Sequence, residues 1–367
     1  MRPLLSNSQR MIRAFRILLF PFSLLYCLVT SIRNALYNSG IKKSTAYPVP
    51  LISVGNLTVG GTGKTPLTEL LIKTLTPDYN CALLSRGYGR KTKGPIHAKD
   101  DASPSTIVDE PMQIMQKFPD LTVMVAEKRT LGMDYLLQLN PPPKVVLLDD
   151  AYQHRAVSPG LSILVTDYYR PIYKDFCLPA GNLREPLAGK KRADIIVVNK
   201  CPHNLSETEK DKILRKLKPT AQQKVFFSTI GYDYLKSLKS TDTRELFGKE
   251  NKPVLAVTGI GNPAPFFNHV EGYTKELEKI TFPDHHDFSD TDIKKINAKL
   301  EKMGPDSIVI TTEKDAVRLR HKNLPDSLSK KIWYLPIELK ILFNEQNTFI
   351  KTVKSYVEEN SGNSNVS

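Results

Sequence analysis

The segment LISVGNLTVGGTGKTPLTELLIKTL at residues 51–75 reads as an apolar strand, a glycine-rich loop ending in Gly63-Lys64-Thr65, and a helix. Gly60, Gly61 and Gly63 carry no side chain to keep phosphate oxygens away from backbone N–H groups, and the N-terminus of the following helix adds partial positive charge. Lys64 is placed to reach the β- and γ-phosphates of a nucleotide, and Thr65 to ligate Mg2+. The expected nucleotide contacts are therefore Thr58, Val59, Gly60, Gly61, Thr62, Gly63, Lys64 and Thr65. Thr58 stands where the usual pattern has its first glycine, so the flanking strand and helix carry the reading against a structural glycine turn.

Outward from this loop the chain alternates short apolar runs with longer mixed segments, the pattern of strands joined by crossover helices. Candidate strands are 50–56, 81–87, 121–128, 144–151, 161–167, 194–200 and 224–232, with a helix-like stretch at 206–217. A second set at 253–261, 307–315 and 331–339 surrounds a helix-like region at 290–303. Several runs are apolar without alternation, as parallel strands covered on both faces are. The expected fold class is α/β: a P-loop NTPase-like, largely parallel sheet flanked by helices, with a smaller C-terminal α/β domain and an N-terminal membrane-associating helix. The expected boundaries are a basic and apolar segment at 1–48, the core at 49–235, a linker at 236–252, the smaller domain at 253–345, and a C-terminal helix with a frayed tail at 346–367.

Lys and Arg outnumber Asp and Glu by 52 to 38, a net charge of +14 that implies a polyanionic partner. The excess is uneven. The first acidic residue is Glu69, so Arg2, Arg10, Arg13, Arg16, Arg33, Lys42, Lys43 and Lys64 precede any carboxylate. They flank the uncharged run Ile17 to Ile32, 16 residues interrupted by Pro21, which is short of the roughly 20 needed to cross a bilayer. An interfacial helix on an anionic membrane surface fits better than a full span or a buried helix. The run lacks a small-residue cleavage site, which argues against export. Cys27, Cys81, Cys177 and Cys201 are scattered, as a reduced compartment allows. No nucleic-acid partner and no protein partner is inferred.

The run KVVLLDD ends in Asp149 and Asp150, where a phosphate-loop enzyme keeps the carboxylate that holds Mg2+. Asp149 is the expected metal residue, the plainer reading being a turn or capping acid. Gln153 and His154 follow closely. VVNKCP at 197–202 is similar to a guanine-reading motif, but Pro202 occupies the place of its aspartate.

Together with SVGNLTVGGTGKTP at 53–66, LSRGYGRK at 84–91, DEP at 109–111, LLDDAYQH at 147–154, LPAGNLREP at 178–186, FPDHHDF at 282–288 and TTEKDAVRL at 311–319, the chain resembles the tetraacyldisaccharide 4'-kinase (lipid A 4'-kinase) family. The resemblance covers most of the chain after the first 40 residues. It implies transfer of the γ-phosphate of ATP, with Mg2+, to the 4'-hydroxyl of a tetraacyldisaccharide 1-phosphate lipid A precursor, giving lipid IVA. It also implies a peripheral or monotopic protein on the cytoplasmic face of a Gram-negative inner membrane. A phosphate-loop core and a smaller C-terminal domain would enclose substrate and nucleotide between them. The chain departs from the family pattern at Ala151, where glycine is usual and a positive φ would matter, and at Asn182.

By the same resemblance Asp109 is the residue that accepts the sugar proton and His285 its partner from the second domain, with His286 an alternative. Arg184 is a candidate for a phosphate, Glu185 for the Mg2+ shell, and Arg129, Gln153 and His154 for substrate; Arg86 and Tyr88 would shape the same cleft. Without the resemblance, Asp109 reads as a surface acid, His285 as part of an exposed loop pair, and Arg184-Glu185 as a surface ion pair. Two other classes remain open at this point: a phosphate-loop GTPase or metallochaperone-type switch protein, and a non-enzymatic membrane scaffold.

Overall fold

The computed structural model describes residues 16–90, 92–98, 104–240, 242–244 and 252–361. Arg2, Arg10, Arg13 and the end of the expected tail lie outside these. The strands in chain order are β1 (Leu51–Gly55), β2 (Cys81–Ser85), β3 (Ile96–His97), β4 (Thr122–Val125), β5 (Val145–Asp149), β6 (Leu161–Asp167), β7 (Ile195–Asn199), β8 (Lys224–Tyr232), β9 (Leu235–Ser237), β10 (Thr243–Arg244), β11 (Val254–Thr258), β12 (Leu277–Thr281), β13 (Ile308–Thr312), β14 (Ile332–Leu335) and β15 (Ile337–Ile341). They form a larger sheet in the order β15-β8-β7-β6-β1-β5-β2-β4-β3 and a smaller one in the order β10-β9-β14-β13-β11-β12. The larger sheet is parallel from β8 to β4, with antiparallel strands only at its edges.

Strands β1, β2, β5 and β7 are buried at every position, which explains runs without polar alternation. One face is covered by α2 (Lys64–Leu75), α3 (Asp109–Lys117) and α8 (Gln346–Ser361), through residues that include Leu67, Leu71, Met112, Phe349, Val353 and Val357. The other face is covered by α1 (Phe20–Asn38), α4 (Arg129–Leu137) and α5 (Glu207–Leu217). The smaller sheet packs α6 (Asp290–Lys302) and α7 (Glu313–Arg320) around a separate core that includes Leu255, Phe288 and Ile296. Ser289 and Asp292 form a reciprocal cap at the start of α6, fixing its entry.

The expected domain boundaries need correction. The run at 331–339 is two strands: β14 pairs with β13 in the smaller sheet, and β15 pairs with β8 in the larger one. Pro336, lacking an N–H, lies at the break, and its carbonyl accepts from Asp233 N, the other crossing between the lobes. The expected linker at 236–252 contains β10 and most of β9, both part of the smaller sheet. The second lobe is therefore an insertion, and β15 and α8 return to complete the first.

Pro21 lies in the first turn of the N-terminal helix, a position where a missing N–H costs nothing, and a turn at Leu19 separates this helix from the helical residues 16–18. The helix departs from its sequence reading in one respect. The four cysteines are not all thiols: Cys27 of α1 is bonded to Cys177, 150 residues away, with Cα atoms 5.9 Å apart, while Cys81 and Cys201 are free and buried. Ser23 Oγ accepts from Ala180 N, Tyr26 donates to Arg184 O and Asn34 donates to Glu185. The opposite side exposes Phe22, Leu24, Leu25, Leu28, Val29 and Ile32. Among the described residues, no helix is long and apolar enough to cross a membrane.

Because α8 belongs to the core of the first lobe, Phe349→Ala should destabilise the protein by about 3–5 kcal/mol. A thermal or urea melt of the purified variant checks this; an unchanged midpoint would mean that α8 is dispensable to that core.

Candidate active site

At the end of β1 the chain turns into the glycine loop, and Gly63, with φ +89°, caps the N-terminus of α2 without a side-chain cap. The first N–H groups of α2 therefore lack helical partners and are available to an anion. A Cβ on Gly63 would lie 2.0 Å from Asn199 Nδ2, so glycine is required there by close approach as well as by φ. Asn199, fully buried at the end of β7, donates to Thr62 O at 3.0 Å, and the adjacent Lys200 donates to Gly61 O and to Asp167. Val59 N donates to Asn182 O, and Thr62 Oγ1 accepts from Asn56. The Asn-Lys pair set aside as an incomplete base-reading motif thus braces the loop from the neighbouring strand. Asn182, one of the departures from the family pattern, does so from the other side.

Lys64 and Thr65 open α2, and Lys64 Nζ lies 3.3 Å from Asp150 Oδ1. Asp150 also receives Arg184 at 3.0 Å and takes the positive φ of 45°. Ala151 is not among the positive-φ residues, so its lack of glycine's freedom costs nothing. Asp149 is almost fully buried and accepts from Ser85 Oγ at 3.3 Å. Burial first, then the charge of Asp150, push the Asp149 carboxyl up to about 6, against the pull of Lys64 and Arg129. A carboxylate so placed gains from a cation. Thr65 and Asp149 fit Mg2+, which keeps several waters and needs few protein oxygens, although the described residues hold no cluster of three or more metal-type side chains.

The second lobe supplies the other half of the site. Asp109 is the first residue of α3; His285, from the loop after β12 and with φ 59°, places Nδ1 2.9 Å from Asp109 Oδ2. Arg318 of α7 donates to the same oxygen from Nη2 at 2.5 Å and from Nε at 3.1 Å, and is itself held by Asp315 and Gly259 O. Burial alone would raise the Asp109 carboxyl, but the hydrogen bonds from His285 and Arg318 and the guanidinium charge hold it well below the usual carboxylate range. His285 is raised by its bond to Asp109, with burial opposing. Glu110, beside Asp109 and paired with Lys314, contributes to the raised Asp149, which places the start of α3 near the acidic end of β5.

Of the other sequence candidates, Arg184 lies in this cluster through Asp150 and Gln153. His154 is half-buried, and burial with Arg129 and Arg86 nearby brings it down to about 4, leaving a neutral imidazole. Arg129 is 2% exposed and donates to Ala126 O and Asp149 O; it supports the strand end and offers no surface to a substrate. Gln153 donates to Asn56 O and Glu185, a tie beneath the loop. Both oxygens of Glu185 are engaged, by Arg192, Gln153 and Asn34, so it serves the seat of α1 rather than a metal shell. Arg86 stacks over the exposed Tyr88 at the rim. His286 turns away to Asp292, leaving His285 as the histidine of the site. Sequence reasoning missed Arg318, although TTEKDAVRL contains it; its role depends on a partner 209 positions away.

The raised Asp149 gives a pH dependence with a definite sign. Its folded value lies above the unfolded one, so its stabilising contribution is full below about 3.8, the ordinary value, and is lost as pH rises through about 6. Added Mg·ATP should therefore raise Tm more at pH 7.5 than at pH 5 (about those values), and Asp149→Asn should remove that difference. An equal rise at both pH values in the parent protein would contradict the metal role.

A family model described as "Tetraacyldisaccharide-1-P 4'-kinase" matches residues 15–358. A tetraacyldisaccharide 4'-kinase of Flavobacterium johnsoniae is 45% identical over 354 residues, covering 94% of this chain and 98% of the relative. One from Bacteroides thetaiotaomicron is 42% identical over 361 residues, covering 95% of each. The crystal structure of LpxK from Aquifex aeolicus in complex with ATP superposes with a TM-score of 0.73 at 30% identity, covering 94% of this chain and 99% of that one. With its phosphate loop, acidic strand end and two-lobed site, this chain belongs to the tetraacyldisaccharide-1-P 4'-kinase family.

Proposed function

We propose that this ATP-dependent 4'-kinase works with Mg2+ at an anionic membrane surface, on the cytoplasmic side where ATP is available, and that Asp109 and His285 serve the acceptor hydroxyl of the lipid A precursor. The observation that carries this reading is the meeting of Asp109, His285 and Arg318 across the two lobes, close to the end of β5. The contacts of His285 and Arg318 with Asp109 fall on Oδ2, which leaves Oδ1 as the oxygen to orient the 4'-hydroxyl.

A carboxylate held below its ordinary range is a weak base, yet it suffices here. In a loose phosphoryl-transfer transition state the nucleophile needs orientation more than early deprotonation. Asp109 accepts the hydroxyl's hydrogen bond and then its proton as the O–P bond to the sugar forms and the bond to ADP breaks; His285 holds the carboxylate in line. The N–H groups at the start of α2 and Lys64 take the negative charge of the phosphates. Bound at Thr65 and Asp149, Mg2+ would neutralise charge on the transferring group.

The membrane-surface reading is supported by α1. One side of it is fastened to the core by Ser23, Tyr26, Cys27 and Asn34, so its exposed leucines and phenylalanine face away at a fixed angle. Such a helix sinks its apolar side into the interfacial region, while Arg33 is turned to the protein, where it donates to Gln153 O.

Two measurements test these assignments. Transfer of labelled phosphate from ATP to a tetraacyldisaccharide 1-phosphate should fall roughly 10²- to 10⁴-fold in Asp109→Asn, with the KM for ATP little changed. Combining it with His285→Ala should cost less than the product of the single losses, and a single loss of less than about tenfold would remove Asp109 from the chemistry. Separately, replacing Leu24, Leu25 and Leu28 with Ser should lower sedimentation with anionic vesicles; undiminished sedimentation would place the contact elsewhere.

A further inference from the structure

The helix that begins at Asp109 ends at Lys117, and that end is as firmly held as its beginning. Lys117 Nζ lies 2.6 Å from Glu69 of α2, the phosphate-loop helix, and 3.0 Å from Glu313, the first residue of α7 in the second lobe. All three side chains are largely buried, at 13%, 4% and 9% exposure. One turn earlier on α3, Gln113 donates to both carboxylates, at 2.8 Å to Glu69 and 3.2 Å to Glu313. Helices α3 and α7 thus meet at both ends: Lys117 with Glu313, and Asp109 with Arg318.

Two carboxylates and one ammonium are an expensive set to bury, and such groups are a poor means of gaining stability. Their defensible use is to fix one arrangement of the elements that carry them. Here those elements are the helix that follows the phosphate loop, the helix that starts with Asp109, and the helix that carries Arg318.

We propose that Lys117 is a positioning residue for phosphoryl transfer: its ammonium, shared by Glu69 of the phosphate-loop helix and Glu313 of the second lobe, sets α3 so that Asp109 is aligned with Lys64 on one side and His285 on the other. The proposal rests on the assignment of Asp109 to the acceptor hydroxyl. Electrostatics agree with the geometry. Burial and then the Glu313 charge raise the Glu69 carboxyl, and Lys117 opposes them; burial would lower the Lys117 ammonium, but the two carboxylates raise it instead. Without the ammonium, two buried carboxylates from different lobes would face each other and push the helices apart.

The test compares the full chain with Lys117→Met, Lys117→Arg, Glu313→Gln and the double variant Lys117→Met with Glu313→Gln, measuring transfer to the tetraacyldisaccharide 1-phosphate and Tm. Lys117→Met should lower kcat at least tenfold and change the KM for ATP less than twofold, and Lys117→Arg should retain most of the activity. The double variant, freed of one carboxylate, should recover Tm but not kcat, a separation that a merely structural ion pair would not produce. Glu313→Gln, which keeps hydrogen bonding and should fold whatever the others do, should lower kcat threefold or more. A folded double variant with kcat within twofold of the parent would overturn the proposal, as would full kcat in Glu313→Gln. Asp109→Asn is assayed alongside: if it is as active as the parent, the assignment of Asp109 has failed, whereas an impaired Asp109→Asn beside a fully active Lys117→Met rejects only the role of Lys117.

Discussion

Arg318 reaches out of the second lobe and puts two N–H groups on one oxygen of Asp109, which belongs to the first. With His285–Asp109, Lys314–Glu110 and Lys117–Glu313, this contact ties the nucleotide-binding sheet to the α/β unit inserted between β8 and β15. Against burial, the hydrogen bonds from His285 and Arg318 and the guanidinium charge favour the charged form of Asp109, and Asp315 holds the guanidinium in place. A guanidinium suits this place better than an ammonium because its planar fork can bond to Asp109, Asp315 and Gly259 O together. His285 then meets Asp109 from a backbone conformation with φ 59°, strained for a histidine, which the surrounding contacts must maintain.

The phosphate end of the site depends on a different constraint, the lack of space around Gly63. Asn199 comes so close that no side chain fits there, and its amide and the Lys200 ammonium hold the loop's carbonyl groups in place. With the carbonyls tied back, the loop can turn N–H groups towards the nucleotide. Lys64, Asp149, Asp150 and Arg184 form an alternating set of charges beside it. In that set Asp150 is satisfied by two cations, and the buried Asp149 accepts from Ser85.

The part proposed to face the membrane is built by the same means. Helix α1 gives its few polar and small groups, Ser23, Tyr26, Cys27 and Asn34, to the protein and leaves its leucines outside. This is the reverse of an ordinary amphipathic surface helix, whose apolar side covers the core. Glu185 and Gln153 tie the seat of α1 to the residues that follow the acidic strand end, so the apolar surface has a set orientation relative to the phosphate loop.

Local pattern alone was enough to place the phosphate loop, the buried parallel strands, the acidic end of β5 and the lone basic, apolar N-terminus, because each depends on residues adjacent in the chain. The resemblance carried by separated motifs also singled out Asp109 and His285. Tertiary structure decided what depends on distant partners. It split the apolar run around Pro336 between two sheets, joined Cys27 to Cys177, and turned Arg129 and Glu185 inward as supports. It also brought Arg318 to Asp109 and Lys117 to Glu69 and Glu313. A charged residue reads as a solvated surface group until its burial and its opposite charge are known, and both are set by packing between segments that the sequence keeps far apart.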